Sequence, residues 1–252
     1  MRENRLYGLE GGGPQLNAVS LPLSFFSCRL MLGELFDPKA EYFVQDRLRP
    51  HWSQAGAIVF ITARTRDSIP KEVLELWDRE KNEWLDQQEI RQGTPIRRGR
   101  KWSDAIHELK EIDRIEFQKH FNRKREVALD ECHGACVLRE CRFAKIIAGS
   151  LMHFDGDRYH MGDFVIMPNH FHLLVAFSTP EAMNAQIDSW LHYTATRINR
   201  LTGIRGHFWQ QEPFDHLVRS EKQYHYLRDY IADNPRKANL REGEYLYRRL
   251  ET

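Results

Sequence analysis

The sequence predicts an α+β protein built as a ferredoxin-like (RRM-like) palm: an antiparallel sheet with its helices on one side, carrying a charged helical insertion. Three observations predict it. Runs rich in β-branched and apolar residues at 57–64, 159–167 and 170–177, with a short one near 215–219, read as strands. Two of these are joined by Pro168-Asn169 alone, a link so short that the pair must be antiparallel. With the charged segment set aside, the order of elements is β-α-β-β-α-β-α, the split βαβ plan with one extra helix.

Residues 1–50 show no sustained period, and "GGGP" near the start marks an irregular arm. The first strand, "AIVFITAR", ends at polar "TRDS", after which Ser68 and Pro70 open a helix. Val73, Leu76, Trp77 and Trp84 recur at helical spacing there, a stripe better suited to a core than to a ligand. "GTPIRRGRKW" (93–102) breaks this helix, and a second charged helical stretch runs from about 103 to 129. Together they form an insertion over about 71–135. A third helix at 138–153 leads through the turn "HFDGDRY" into the strands "YHMGDFVIM" and "HFHLLVAF". A helix follows at 180–201, then the strand near "DHLVR", then a helix at 221–235 that Pro235 is expected to stop.

The chain has 252 residues, 41% hydrophobic and 29% charged, which is ordinary for a soluble globular protein of one domain with additions or of two small domains. No run of about 18 apolar residues is present, so no transmembrane helix is expected. "LPLSFFSCRLML" is too short and too far from Met1 for a signal peptide, and a cytoplasmic protein is expected. The formal net charge of +1 neither requires nor excludes a nucleic acid, because binding needs a local basic face. Cys132, Cys136 and Cys141 with His133 match no familiar zinc spacing and fall in a segment expected to be helical. Reduced, partly buried thiols are the reading there.

The chemistry-bearing residues lie in the last two-fifths of the chain. Strand side chains alternate, so His170 and His172 share one face and are able to converge on one cation; two structural histidines bonded to backbone would give the same pattern. Tyr230 and Asn234, four apart, share a helical face, although aromatic residues on helices are commonly packing. Tyr226 shares that face and rivals Tyr230; Tyr224 does not. Arg97, Arg98, Arg100 and Lys101 form a basic loop, and Arg236, Lys237 and Arg241 follow the tyrosine helix. Such groups suit phosphates, with Trp209 or Phe208 stacking on an unpaired base; solvated loops and a core tryptophan explain them equally well.

Taken together, "VIMPNHFHLLV", "FWQQEPFDHLVR" and "YLRDYIADNPRKANL", in that order and spacing, resemble the single-tyrosine HUH transposases, in particular the REP-associated tyrosine transposases. "HWSQAGAIVFITARTRDSIP" and "HFDGDRYHMGDFVIMPNH" look like that branch too, so the resemblance spans about residues 50–240 and makes 51–252 the catalytic domain. It implies that Tyr230 is the nucleophile and that His170, His172 and Asn234 hold a divalent ion, Mg2+ or Mn2+. Two imidazoles and an amide would by ligand preference also accept zinc, nickel or cobalt. The implied activity is nicking and strand transfer on single-stranded hairpin DNA through a 5′-phosphotyrosine. An idle nucleic-acid-binding module and a water-using metal phosphoesterase are the alternatives. The group that takes the tyrosine proton is left open among metal-bound water, Asp229 and Asp233, and monomer and homodimer remain equally open. The long insertion departs from the compact family core.

Overall fold

The computed structural model describes residues 32–46, 50–93 and 101–251. Arg97, Arg98 and Arg100 of the basic loop, and most of the N-terminal arm, lie outside the described residues. The elements in order are β1 (Phe43–Asp46), β2 (Pro50–Ser53), β3 (Ile58–Arg64), α1 (Lys71–Arg91), α2 (Trp102–Ala105), α3 (Glu111–Asp130) and α4 (Cys141–Met152). Then come β4 (Tyr159–Ile166), β5 (His170–Phe177), α5 (Pro180–Thr202), β6 (Phe214–Leu217), α6 (Glu221–Lys237) and β7 (Leu246–Arg248).

Five strands make one antiparallel sheet in the order β6-β3-β5-β4-β7, while β1 and β2 form a separate two-stranded ribbon. The central strand β5 is buried along its whole length, on both faces. Val59, Ile61, Phe171, Leu173 and Val175 meet α4 and α5 on one face. Ile58, Phe60 and Leu174 meet Tyr224, Leu227, Tyr230 and Ile231 of α6 on the other. The expectation of helices on one side is therefore corrected. A strand with no exposed face needs cover on both sides, and the amphipathic α6 supplies the second layer.

Local chemistry fixes the helix bounds. Thr179 caps α5 through Oγ1 to the Ala182 N–H, Pro180 takes the first turn, and Gly203 ends it at φ +73, a conformation that a side chain would resist. Ser220 caps α6 by accepting from the Gln223 N–H, while Gln223 Oε1 accepts from the Arg219 N–H. Contrary to expectation, α6 runs past Pro235 to Lys237. The ring removes a single backbone donor so late in the helix that the Ala238 N–H still reaches the Asn234 carbonyl at 3.1 Å. Three further expectations are corrected. The β1–β2 ribbon occupies part of the arm read as irregular. The charged stretch from 103 is broken at residues 106–110 into α2, a 3-10 turn and α3. Residues 132–136 form a turn, with Cys132 and Cys136 at positive φ, where a helix was expected.

The insertion has its own small cores. Leu85, Phe117 and Phe121 pack with Trp84 and Trp102, and Ile69, Ala128 and Leu129 pack with Val73 and Trp77. They hold α3 so that its last two turns approach α6 and β6: the Arg125 guanidinium lies 4.4 Å from the Phe214 ring centre.

Candidate active site

The register of β3 against β5 pairs Thr62 with His172 and Phe60 with Leu174, which puts both histidines on the face that α6 covers. His170 and His172 are fully or almost fully buried, and their ring centroids are 4.7 Å apart. Each has its Nδ1 side tied down. His170 Nδ1 lies 2.8 Å from Asn169 Oδ1, and Asn169 Nδ2 donates to the His133 carbonyl at 3.0 Å. A carbonyl only accepts, so the Asn169 amide has one orientation, its oxygen faces His170, and His170 Nδ1 is the donor. His172 Nδ1 lies 2.7 Å from Thr62 Oγ1, directly across the strand pair. With Nδ1 the donor there as well, both Nε2 atoms present lone pairs to the interior.

Facing them from α6 are Tyr230 and Asn234. The Tyr230 hydroxyl is 3.5 Å from His172 Nε2. Asn234 is wholly buried; its amide lies near enough to His170 and Tyr230 to act on both, but neither its Oδ1 nor its Nδ2 makes a hydrogen bond of good geometry, and nor does His170 Nε2. A buried polar atom left unpaired costs about 1–3 kcal/mol, so a native site that gathers several is built for something that pairs them. Two imidazole nitrogens and an amide oxygen are suitable donors for a divalent ion, and they fit one here. All three are neutral. Among the described residues no three His, Cys, Asp or Glu side chains come together as a metal-binding group. That holds for Cys132, Cys136 and His133 too.

Helix α6 is aimed by an ion pair at its middle. Arg228 Nε donates to the buried Asp163 of β4 at 2.9 Å, and Asp163 Oδ1 also accepts from the Leu250 N–H. Tyr230 lies two residues on, with the Lys237 ammonium 4.6 Å from its ring centre.

Electrostatics follow from burial. His170 is pushed down to about 3, chiefly by desolvation, against a weaker opposite effect of Asn234. His172 is lowered by burial and then by the His170 beside it. Both are neutral near pH 7, the state in which imidazole binds metals. Tyr230 is pushed above the usual phenol value by burial first, then by Glu126 and Asp130. Those two carboxylates on α3 were not anticipated. Asp130 is raised to about 6, mainly by desolvation, and its Oδ1 is buried without a hydrogen bond. Asp229 and Asp233, the carboxylates proposed from sequence, are otherwise engaged or remote: Asp229 is exposed and Asp233 pairs with Arg236 at 3.1 Å.

Among the described residues the structure thus brings together His170, His172, Tyr230, Asn234 and Lys237, while Trp209 and Phe208 are taken up by the core. Trp209 is a core residue whose indole N–H donates to Thr194 Oγ1 at 2.9 Å and whose ring packs on Phe171, which leaves little of it for a base. Phe208 is buried as well, whereas Lys101 and Arg236 are exposed. Tyr226 is 62% exposed and Tyr224 is buried in the core under α6, so of the three tyrosines only Tyr230 points its hydroxyl at the histidines.

No family model and no curated protein matches the sequence. One solved structure is similar, that of "the REP associates tyrosine transposase bound to a REP hairpin", 14% identical over 77% of this chain and 74% of that one, with a TM-score of 0.37. So loose a likeness assigns no role to any residue.

Proposed function

We propose that the protein is a metal-dependent nickase and strand transferase for single-stranded hairpin DNA, and that it works through a 5′-phosphotyrosine on Tyr230. One observation carries the reading: the Tyr230 hydroxyl reaches to 3.5 Å from His172 Nε2, at a buried point where His170 Nε2 and the Asn234 amide make no hydrogen bond of good geometry. The hairpin substrate rests on the motif resemblance, and the β6-β3-β5-β4 order suits the ferredoxin-like palm which that resemblance implies.

In this reading the Tyr230 oxygen attacks phosphorus in line, forming the P–Oη bond as the P–O3′ bond breaks. The phenol proton leaves to solvent or a carboxylate, and the 3′-oxygen departs as a hydroxyl after taking up one proton. The broken phosphodiester is conserved as a phosphotyrosine, from which a second 3′-hydroxyl regenerates the backbone. His170, His172 and Asn234 would hold a divalent ion, Mg2+ or Mn2+, which when bound would supply positive charge to neutralise the phosphate. Burial keeps the free phenol protonated at physiological pH, so attack needs a group to take the proton or positive charge near the oxygen, and the Lys237 ammonium 4.6 Å from the ring centre is one cation at hand.

The test is incubation with hairpin DNA and Mg2+ or Mn2+, followed by denaturing electrophoresis and peptide mapping. Wild type forms a covalent adduct on Tyr230, and Tyr230→Phe, which keeps the ring and its packing, forms none. An adduct on Tyr226, or one surviving in Tyr230→Phe, overturns the assignment. Nicking without adduct makes the protein a water-using phosphoesterase, and hairpin binding with neither makes it a binding module.

A further inference from the structure

The insertion helix α3 closes a second feature over Tyr230. A cavity of about 430 Å3 opens between α3, β6 and α6, within the ~300–1,000 Å3 of small-ligand sites. Its floor is a run of rings: Tyr226 and Tyr230 are stacked with centroids 6.4 Å apart, Phe60 lies 6.1 Å from Tyr230, His216 5.3 Å from Phe60, and Phe214 5.6 Å from His216. Tyr226 lines the cavity and is a large aromatic that stays 62% exposed. The rim is polar. Glu126 and Asn122 come from α3, and Arg219 stands at the end of β6. Arg125 Nη2 donates to Asn122 Oδ1 at 3.0 Å, which orients the Asn122 NH2 as the free donor. The protein crowded about the Glu126 carboxyl desolvates it and raises its pKa, although the residue keeps an open edge to solvent.

A floor of mutually tilted aromatic rings, with Tyr226 and Tyr230 the stacked pair, an acceptor and a donor on one rim and Arg219 on another, is the chemistry of an unpaired nucleobase with its phosphate. We infer that this cavity holds one unpaired nucleotide of the strand being cut, next to the phosphate at Tyr230, with Tyr226 stacking on the base and Glu126 reading its edge. A carboxylate accepts from an exocyclic amine and repels a carbonyl, so cytosine and adenine are favoured over thymine. The insertion is then part of substrate recognition. This inference rests on the reading of the protein as a DNA nickase, and it deepens that reading by naming a base preference and the residues behind it.

The experiment uses full-length Tyr230→Phe, which cannot react, with short fluorescent homopolymers of deoxycytidine, deoxyadenosine and thymidine, read by anisotropy. The first two should bind about tenfold more tightly than the third. Glu126→Gln, whose amide offers both an acceptor and a donor, should erase the preference without weakening the thymidine polymer. Tyr226→Ala should weaken all three by about tenfold. Equal binding of the three polymers with Glu126 intact, or a preference that survives Glu126→Gln, overturns the inference. Its failure is separable from failure of the nickase reading: a wild-type adduct on Tyr230 without base preference removes only the nucleotide site, whereas absence of any adduct removes the chemistry whatever the polymers do.

Discussion

Asn169 and Thr62 each hold the Nδ1 side of a histidine and so turn its Nε2 inward, and the fixed Asn169 amide also sets the His170 tautomer. With Asn169 replaced by Ala, His170 Nδ1 loses its acceptor in a fully buried place, and the ring is free to adopt the tautomer that points a proton at the metal. Asn169→Ala should bind Mn2+ about 10–100-fold more weakly by calorimetry without DNA, while His170→Ala and His172→Ala should abolish nicking and keep hairpin binding. Full metal-dependent nicking by either histidine variant would remove the site as drawn. The histidines stood out in the sequence because strand alternation puts them on one face, whereas Tyr230 was separated from Tyr226 only by the motif resemblance. Thr62 did not, since its partner His172 is 110 residues away and only the register of β3 on β5 joins them. Glu126 and Asp130 were hidden for the same reason: a charged helix reads as a solvated one until its neighbours are known.

Among elements, the β1–β2 ribbon is fastened by charge. His51 Nδ1 bonds Asp215 on β6, and its Nε2 lies 3.7 Å from Glu212. The Asp215 bond raises the His51 pKa most, against desolvation, with Glu212 adding to the rise. A raised folded pKa means that the stabilisation is complete below the unfolded value of about 6.5 and fades as pH climbs through the folded one. The Tm of wild type should exceed that of His51→Gln most in mildly acid solution, and the gap should close in alkali; a gap independent of pH would refute the pairing. The ribbon was illegible in the sequence, being short, polar and without a period. The sheet strands were legible because β-branched and apolar residues run unbroken through them, and α5 because its cap, its Pro180 and its Gly203 are all local signals. The side of the sheet that α6 covers is not local information, and there the sequence reading failed.

For the whole molecule, a net charge of +1 means that any grip on DNA comes from how charge is distributed. Replacing Arg97, Arg98, Arg100 and Lys101 by Ser should weaken binding to all sequences alike and flatten its dependence on salt, measured by anisotropy across a salt series. Unchanged affinity and slope would make that loop plain surface. The layered arrangement has one more consequence. The hydroxyl that would cut DNA rides on α6, and the imidazoles that would arm it sit on β5; the two are strangers along the backbone and are introduced only when the last layer docks, through Arg228 and Asp163. Under the proposed activity, an emerging, damaged or half-digested chain would hold the parts of the site without the assembly, so cutting would wait on completed folding.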